Sequence, residues 1–374
     1  MTSKLDEIVS NPFNHEIENW KKHGNQVIGC VCCYVPEELI HAAGILPYRI
    51  RATGCAKTDQ SDSWMSNFAC SFARSCLEYA LDGRYDFLDG LVASDSCGHA
   101  HRLYDNWRFN IELPFMHFLT VPNKGGESAI AWYRNQMAYL KERLEGFSGA
   151  PITEESIETS INIYNETRRL LRDLHALRMS DHPLITGLES QKWQLAAMSM
   201  RKDQYNKLLG KYLEEIRGNE PITDYRARLM VVGSTLDDPG FIKIIEDLGG
   251  LVVTDALCLG SRYLYEPVKI EGDILLSLAK SYLNRAICPR MVDQHQALFD
   301  LIKDLVHRFK VDGVIFEKIR YCDLWGGESL FLERNFRESN IPFLSLQREH
   351  VMTGSGQIAT RVEAFIEMVS EVIE

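Results

Sequence analysis

Three apolar, β-branched runs of this chain end in a cysteine. They are Gly90-Leu-Val-Ala-Ser-Asp-Ser-Cys97, Leu251-Val-Val-Thr-Asp-Ala-Leu-Cys258 and Val314-Ile-Phe-Glu-Lys-Ile-Arg-Tyr-Cys322. Open α/β sheets bind ligands beyond the carboxyl ends of their strands, so cysteines at such ends are placed for chemistry. A fourth, Cys70, stands at the start of a helix-like segment, where the positive end of the helix dipole favours a thiolate. Soft thiolates select iron–sulfur clusters or zinc. Structural zinc usually draws on close pairs such as C-x2-C. Cys70, Cys97 and Cys322 are far apart, and the group Cys30, Cys32 and Cys33 is tighter than such a pair. Spacing leaves a cluster, zinc and reduced catalytic or structural thiols all open. Cys76, inside the helix-like Phe72–Ala80, reads as packing.

These cysteines need elements to hold them. Strand patterns at 27–33, 45–50, 90–97 and 115–121 alternate with helical patterns at 34–44, 70–82 and 99–110. A second alternating region follows, with strands at 228–233, 251–254, 314–319 and 342–346, helices at 241–248 and 298–310, and a terminal helix from 357 to 373. Strand–helix alternation implies parallel βαβ units. Between these regions only long amphipathic helices are read, one of them capped by Thr153 with Glu154 and Glu155 in its first turn. The expected fold is α/β: two Rossmann-like or flavodoxin-like parallel-sheet domains facing a shared cleft, joined by a helical segment. The expected domains are 1–125, 126–225 and 226–374, the middle one a helical spacer or lid. Each half has four strands and a cysteine after the third, a repeat of layout and not of sequence. Cys97 and Cys322 would enter the shared cleft from opposite sides, joined by Cys70. Three thiolates and an open position suit an iron–sulfur cluster.

Composition is that of a globular chain, 45% hydrophobic and 25% charged over 374 residues. The net charge of -11 argues against general nucleic-acid binding, which needs clustered Lys and Arg. No run reaches the roughly 18 apolar residues of a membrane span, and the first residues lack an apolar signal region. Ten cysteines without a secretion signal point to a cytoplasmic protein with metal ligands, catalytic thiols or buried thiols rather than disulfides.

Four stretches and the tail resemble a known family. They are Cys32-Cys-Tyr-Val-Pro-Glu-Glu-Leu-Ile-His-Ala-Ala-Gly-Ile-Leu-Pro47, Asn67-Phe-Ala-Cys-Ser-Phe-Ala-Arg-Ser75, Asp95-Ser-Cys-Gly-His-Ala-His-Arg-Leu-Tyr-Asp105, Tyr321-Cys-Asp323, and Gln347-Arg-Glu-His-Val-Met-Thr-Gly-Ser-Gly-Gln-Ile-Ala-Thr-Arg-Val-Glu-Ala-Phe365. In order and combination they are similar to the benzoyl-CoA reductase and 2-hydroxyacyl-CoA dehydratase family. The resemblance covers both α/β halves. It implies an oxygen-sensitive iron–sulfur cluster in the cleft, pairing with a homologous second cluster-bearing subunit, and an ATP-hydrolysing iron–sulfur activator protein. It also implies an acyl-CoA substrate and a cluster ligated by Cys70, Cys97 and Cys322. Relatives with a double-cubane cluster (8Fe-9S) carry further cysteines where Cys32, or Cys33, Cys258 and Cys288 stand here. A single 4Fe-4S cluster is the alternative, with Cys258 and Cys288 packing beside it.

The opening and the tail look most like the reductase branch. The expected function is therefore an iron–sulfur subunit of an ATP-dependent aryl-CoA reductase, passing single electrons to an aromatic thioester. The alternatives are a 2-hydroxyacyl-CoA dehydratase subunit, a stand-alone double-cubane reductase of small molecules acting as a homodimer, and a non-catalytic electron-conducting subunit. His99 and His101 are candidate proton donors or hydrogen-bond partners of a cluster sulfur. Arg102 and Tyr104 are weaker substrate candidates. Trp107 and Trp325 are expected to shield the cluster from water. Glu37 and Glu38 read as acids at a helix start. Arg348-Glu-His350 and Thr353-Gly-Ser-Gly356 read as an anion-binding turn, or as a plain turn and helix cap.

Overall fold

The computed structural model describes residues 2–263, 266–285, 287–351 and 355–371. Helices α1 (Thr2–Ser10) and α2 (His15–Lys22) lead into β1 (Val27–Val31), α3 (Glu37–Ala42), β2 (Leu46–Arg49), α4 (Ser71–Leu81), β3 (Gly90–Ser94), α5 (Gly98–Asn110) and β4 (Phe115–Leu119). Four helices follow: α6 (Glu127–Ser148), α7 (Glu154–Ala176), α8 (Gly187–Ala197) and α9 (Lys202–Ile216). The second half runs β5 (Ala227–Gly233), α10 (Gly240–Asp247), β6 (Gly250–Ala256), α11 (Ile274–Arg285), α12 (His295–Arg308), β7 (Gly313–Ile319), α13 (Asp323–Glu338), β8 (Phe343–Arg348) and α14 (Ser355–Glu371). Among the described residues no helix is long and apolar enough to cross a membrane.

The strands form two four-stranded sheets of order β2-β1-β3-β4 and β6-β5-β7-β8, with every pairing parallel. β1, β3, β5 and β6 are buried along their whole length. Strands covered on both faces read as continuous apolar runs rather than alternations, which is how the sequence displays them. In the second sheet, Leu229, Val231 and Ile315 pack towards α10 and α14, and Met230, Val232 and Phe316 towards α12 and α13. Winding reverses between β1 and β3 and between β5 and β7, so each sheet has its crevice beyond those strand ends. At the second crevice the backbones come very close. A side chain on Gly233, whose φ is +152°, would bring its Cβ within 1.8 Å of the Glu317 carbonyl oxygen, so only glycine fits there.

The helical middle is neither a spacer nor a lid. Tyr133, Met137, Leu140 and Leu144 of α6 are fully buried against Ile28, Val92 and Phe115 of the first sheet. Thr153 caps α7 by accepting the Ser156 N–H at 3.1 Å, as its position predicts. Helix α11 has no forecast in the sequence pattern. It lies along α6, and its Leu278, Ala279, Tyr282 and Leu283 complete the same apolar cluster, so the second half finishes the core of the first.

Glu37 and Glu38 begin α3 as expected, but they are fully buried and paired. Glu38 meets Arg168 of α7 and accepts from the Tyr282 hydroxyl at 2.5 Å, while Glu37 lies 3.3 Å from Lys202. Removing one partner of such a pair strands the other charge, at a cost of ~3–5 kcal/mol. These pairs fasten α3, which follows the cysteine-bearing end of β1, to the helical block.

Candidate functional site

The carboxyl edges of the two sheets face one cavity with roughly 990 Å³ of open space, mouth included. Seven of the ten cysteines line it: Cys32, Cys33, Cys70, Cys97, Cys258, Cys288 and Cys322. The remaining three, Cys30, Cys55 and Cys76, are buried elsewhere, and Cys76 packs in the first core as expected. Between the thiols the wall is apolar, formed by Val31, Ile50, Phe72, Leu103, Ile319 and Trp325.

Local folding explains how three of these thiols reach the cavity. Cys70, Cys97 and Cys322 are the N-caps of α4, α5 and α13. An N-cap side chain turns back over the first helical turn, where unpaired N–H groups point outward. Cys97 Sγ accepts the Ala100 N–H at 3.4 Å. Around Cys70 the N–H groups of Ala73 and Phe72, and around Cys322 that of Trp325, draw the thiol pKa down without closing a cap hydrogen bond. Burial outweighs this attraction. It pushes Cys70 up to about 11, and Cys97 and Cys322 up to about 12. Thiols so raised are protonated at neutral pH unless a cation ligates them, since a coordinating thiol is deprotonated outright.

The other four thiols sit in loops. Cys32 and Cys33 follow β1, Cys258 follows β6, and Cys288 lies between α11 and α12. Cys32 has a left-handed backbone, φ 82°, as does Tyr321 at φ 63° just before Cys322. Such values in bulky residues mark local strain, which collects at functional sites. A hydrogen bond with Cys33 holds the Cys32 thiol well below its ordinary pKa against the opposing effect of burial, and Cys33 is raised in return. Hydroxyls accompany three of the thiols: Ser94 at Cys32, Ser234 at Cys322, and Thr235 at 3.6 Å from Cys258 Sγ. Burial raises Cys288. Its loop is clamped to the opposite half by the buried Arg290, which donates to the carbonyls of Asp95, Val121 and Pro122 at 2.8, 2.9 and 2.6 Å.

His99 lines the cavity. Its Nδ1 accepts the Cys70 N–H at 3.4 Å, and its Nε2 lies 3.2 Å from Asp323 Oδ2, off the line of a good hydrogen bond. One ring therefore touches the loops of Cys70, Cys97 and Cys322. His101 does not reach the cavity. It is exposed, stacks on Phe118 at 4.4 Å and faces Asp105 at 4.0 Å. Arg102 is exposed and Tyr104 is in the first core. Trp325 forms part of the wall with Arg262 over its ring at 5.4 Å, whereas Trp107 stacks on Tyr85 in the core, away from the cavity.

The described tail residues join the two halves. His350 Nε2 meets Asp237 Oδ1 at 2.7 Å, its Nδ1 meets Ser75 Oγ at 2.9 Å, and its N–H donates to Ser71 Oγ at 2.8 Å. Arg348 pairs with the buried Glu317 at 2.7 Å. Thr353 and Gly354 lie outside the described residues. Arg49, Ser234, Thr235, Arg262 and Arg290 did not stand out in the sequence. A cation at the end of the Leu46–Arg49 strand, and one two residues past Cys288, were the available signals.

Residues 32–369 match the family described as 2-hydroxyglutaryl-CoA dehydratase, D-component. The chain belongs to this family. Its relatives include the (R)-phenyllactyl-CoA dehydratase beta subunit of Clostridium sporogenes, 28% identical, with 96% of each chain covered. A benzoyl-CoA reductase subunit of Thauera aromatica is 27% identical, covering 88% of this chain and 87% of its own. The lactoyl-CoA dehydratase subunit beta of Anaerotignum propionicum is 25% identical, covering 98% of both. The family resemblance read from the motifs is thereby established. Relatives named as subunits support a partner subunit for this chain, and family members are enzymes of the dehydratase and reductase kinds.

Proposed function

We propose that this chain is an iron–sulfur subunit acting on an acyl-CoA, with Cys70, Cys97 and Cys322 as the primary ligands. The observation that carries the proposal is the gathering of seven cysteines around one apolar cavity between two sheet edges. Among the described residues no three His, Cys, Asp or Glu converge on a single point. A lone zinc ion needs four ligands drawn together at ~2.0–2.3 Å. Thiols spread around a cavity match a group several atoms across. Bound there, an iron–sulfur cluster would supply single electrons at low potential.

The chain's own residues would do the rest. The apolar wall excludes water, which strengthens every charge interaction inside. The N-cap positions of Cys70, Cys97 and Cys322 present their sulfurs to positive helix ends, which stabilise thiolate ligands. His99 holds a ring nitrogen at the edge of the cavity beside Asp323 and is the proton donor this geometry favours. Cys32 or Cys33, Cys258 and Cys288 extend the ligand set to the double-cubane arrangement.

We favour the aryl-CoA reductase reading, because a net reduction consumes electrons and the thiols beyond the first three give room for more iron. The dehydratase reading, in which one electron is returned each cycle, draws equal support from the phenyllactyl-CoA and lactoyl-CoA relatives. Both readings require a homologous partner subunit and an ATP-hydrolysing activator, whereas a stand-alone double-cubane reductase would be a homodimer.

The test is anaerobic purification with iron and sulfide analysis, followed by electron paramagnetic resonance with benzoyl-CoA and with a 2-hydroxyacyl-CoA. Iron in the protein with a spectrum perturbed by benzoyl-CoA alone supports the reductase. Perturbation by the hydroxyacyl thioester alone turns the assignment to the dehydratase. Protein that holds no iron refutes the proposal.

A further inference from the structure

The cavity wall contains a buried arginine, Arg49, beside several of its thiols. Arg49 ends β2 opposite Cys30 of β1 and is 5% exposed. Its backbone N–H donates to the Met198 carbonyl at 3.0 Å, which fixes the strand end against the loop after α8. Among the described residues, no carboxylate lies within ion-pair distance of its guanidinium and no acceptor hydrogen-bonds to it. Glu37, whose charge acts on Arg49, lies 3.3 Å from Lys202. The thiols of Cys33, Cys32 and Cys258 also act on Arg49. All four residues line the same cavity.

A buried, uncompensated charge costs several kcal/mol. Arginine cannot escape that cost by losing its proton. A site that keeps such a residue is built for a negative group beside it. A buried arginine that ends a different strand of the second half, Arg348 on β8, shows the contrast, because it has Glu317 at 2.7 Å and the Thr235 carbonyl at 2.7 Å. Beside Arg49 stand cavity and sulfur instead.

We propose that Arg49 is the fixed counter-charge for the anionic group held by Cys258 and by Cys32 or Cys33, setting both its reduction potential and its retention. This rests on the cluster reading above. Each thiolate ligand adds negative charge, and a neighbouring guanidinium in a low-dielectric cavity offsets part of it. Reduction adds one more electron to that group, so a fixed cation favours the reduced form. Arg49 is a positioning and tuning residue, with no role in touching substrate.

The experiment compares the full-length wild type with Arg49→Gln and Arg49→Lys, all purified anaerobically. Iron and sulfide are counted, circular dichroism checks the fold, and the midpoint potential is titrated by paramagnetic resonance. For Arg49→Gln the oxidised-to-reduced ratio at fixed potential should rise at least tenfold, a downward shift of about 59 mV for a one-electron couple. Arg49→Lys should stay near the wild type. Iron lost in Arg49→Gln and regained in Arg49→Lys, with both variants folded, supports the same conclusion. An unchanged potential in iron-loaded Arg49→Gln overturns it. So does equal iron loss in both folded variants, because shape and not charge would then be what matters. A wild type without iron defeats the cluster reading itself, before any variant is compared.

Discussion

The two sheets share a strand order but distribute charge differently at their carboxyl edges. In the first half the strand before the switch point, β1, ends in Cys32 and Cys33, and its neighbour β2 ends in Arg49. In the second half the matching strand β5 ends in Ser234 and Thr235, and β6 leads to Cys258. The third strands agree: β3 leads to Cys97 and β7 to Cys322, each capping the next helix. The segments that precede the third strands also correspond, with Cys70 before α4 and Cys288 before α12. The N-cap thiols Cys97 and Cys322 are therefore the common part of the two crevices, and the loop thiols, with Arg49 beside them, are the part in which they diverge. Positions fixed by a helix start are reproduced wherever the topology repeats, while loop positions are free to specialise.

The strongest way to break this comparison is at its common part. Cys322→Ser and Cys97→Ser should each lose nearly all bound iron while keeping their circular dichroism. Cys76→Ser, outside the cavity, should keep its iron. Cys258→Ser should lose only part of it, and full retention there would leave the N-cap thiols as the whole ligand set. Iron per chain, measured anaerobically, reads all four.

The arginines come next. Arg348→Met leaves Glu317 buried and unpaired, and should lower stability by ~3–5 kcal/mol. Arg49→Met removes a cation with no carboxylate partner, and in metal-free protein it should cost under ~1 kcal/mol or stabilise. Urea midpoints of the two variants measured side by side would show the difference, and equal losses would contradict the contrast between halves.

A smaller effect tests the clasp between the halves. Burial opposes ionisation of Asp237, yet the charge and hydrogen bond of His350, the Ala52 N–H and Arg51 hold it below the usual carboxylate range. The folded state thus binds fewer protons than the unfolded chain. The resulting stability is fully present above the unfolded value of ~3.9 and is lost as pH falls through the lower folded value. Asp237→Asn should cost ~1–3 kcal/mol at neutral pH, with the gap to wild type closing below about pH 4. A gap constant with pH would show that the carboxylate charge is not what the clasp uses.

The smallest expected change is at Tyr321. Glycine accepts its φ of 63° without strain, while losing the ring contact with Phe68 at 5.4 Å. Tyr321→Gly should stay within ~1 kcal/mol of the native midpoint. A large loss would mean that the ring, and not the backbone turn, sets the position of Cys322.

Much of this protein is legible in its sequence. The eight strands, the helices that follow Cys70, Cys97 and Cys322, and the Thr153 cap are local features, written as apolar runs and turn residues a few positions apart. Their order, with the motifs around the cysteines, was enough to place the chain in its family. Other features needed partners from distant segments. Helix α11 was not foreseen, because its apolar face is matched by α6, more than a hundred residues earlier. Glu37 and Glu38 look like ordinary first-turn acids until Arg168 and Lys202 arrive from the helical block. His99 and His101 are two residues apart and look alike in sequence. Only the helical turn decides that one enters the cavity and the other faces outward.

The sequence by itself determined which residues could bind a soft metal and which strand ends would carry them, because strand periodicity and helix starts are short-range properties. The tertiary structure decided that seven of those thiols share one cavity, that His99 and not His101 joins them, and that Arg49 stands among them without a carboxylate. Each of these depends on how the two sheets are set edge to edge, and that is fixed by packing and buried ion pairs between residues far apart in the chain.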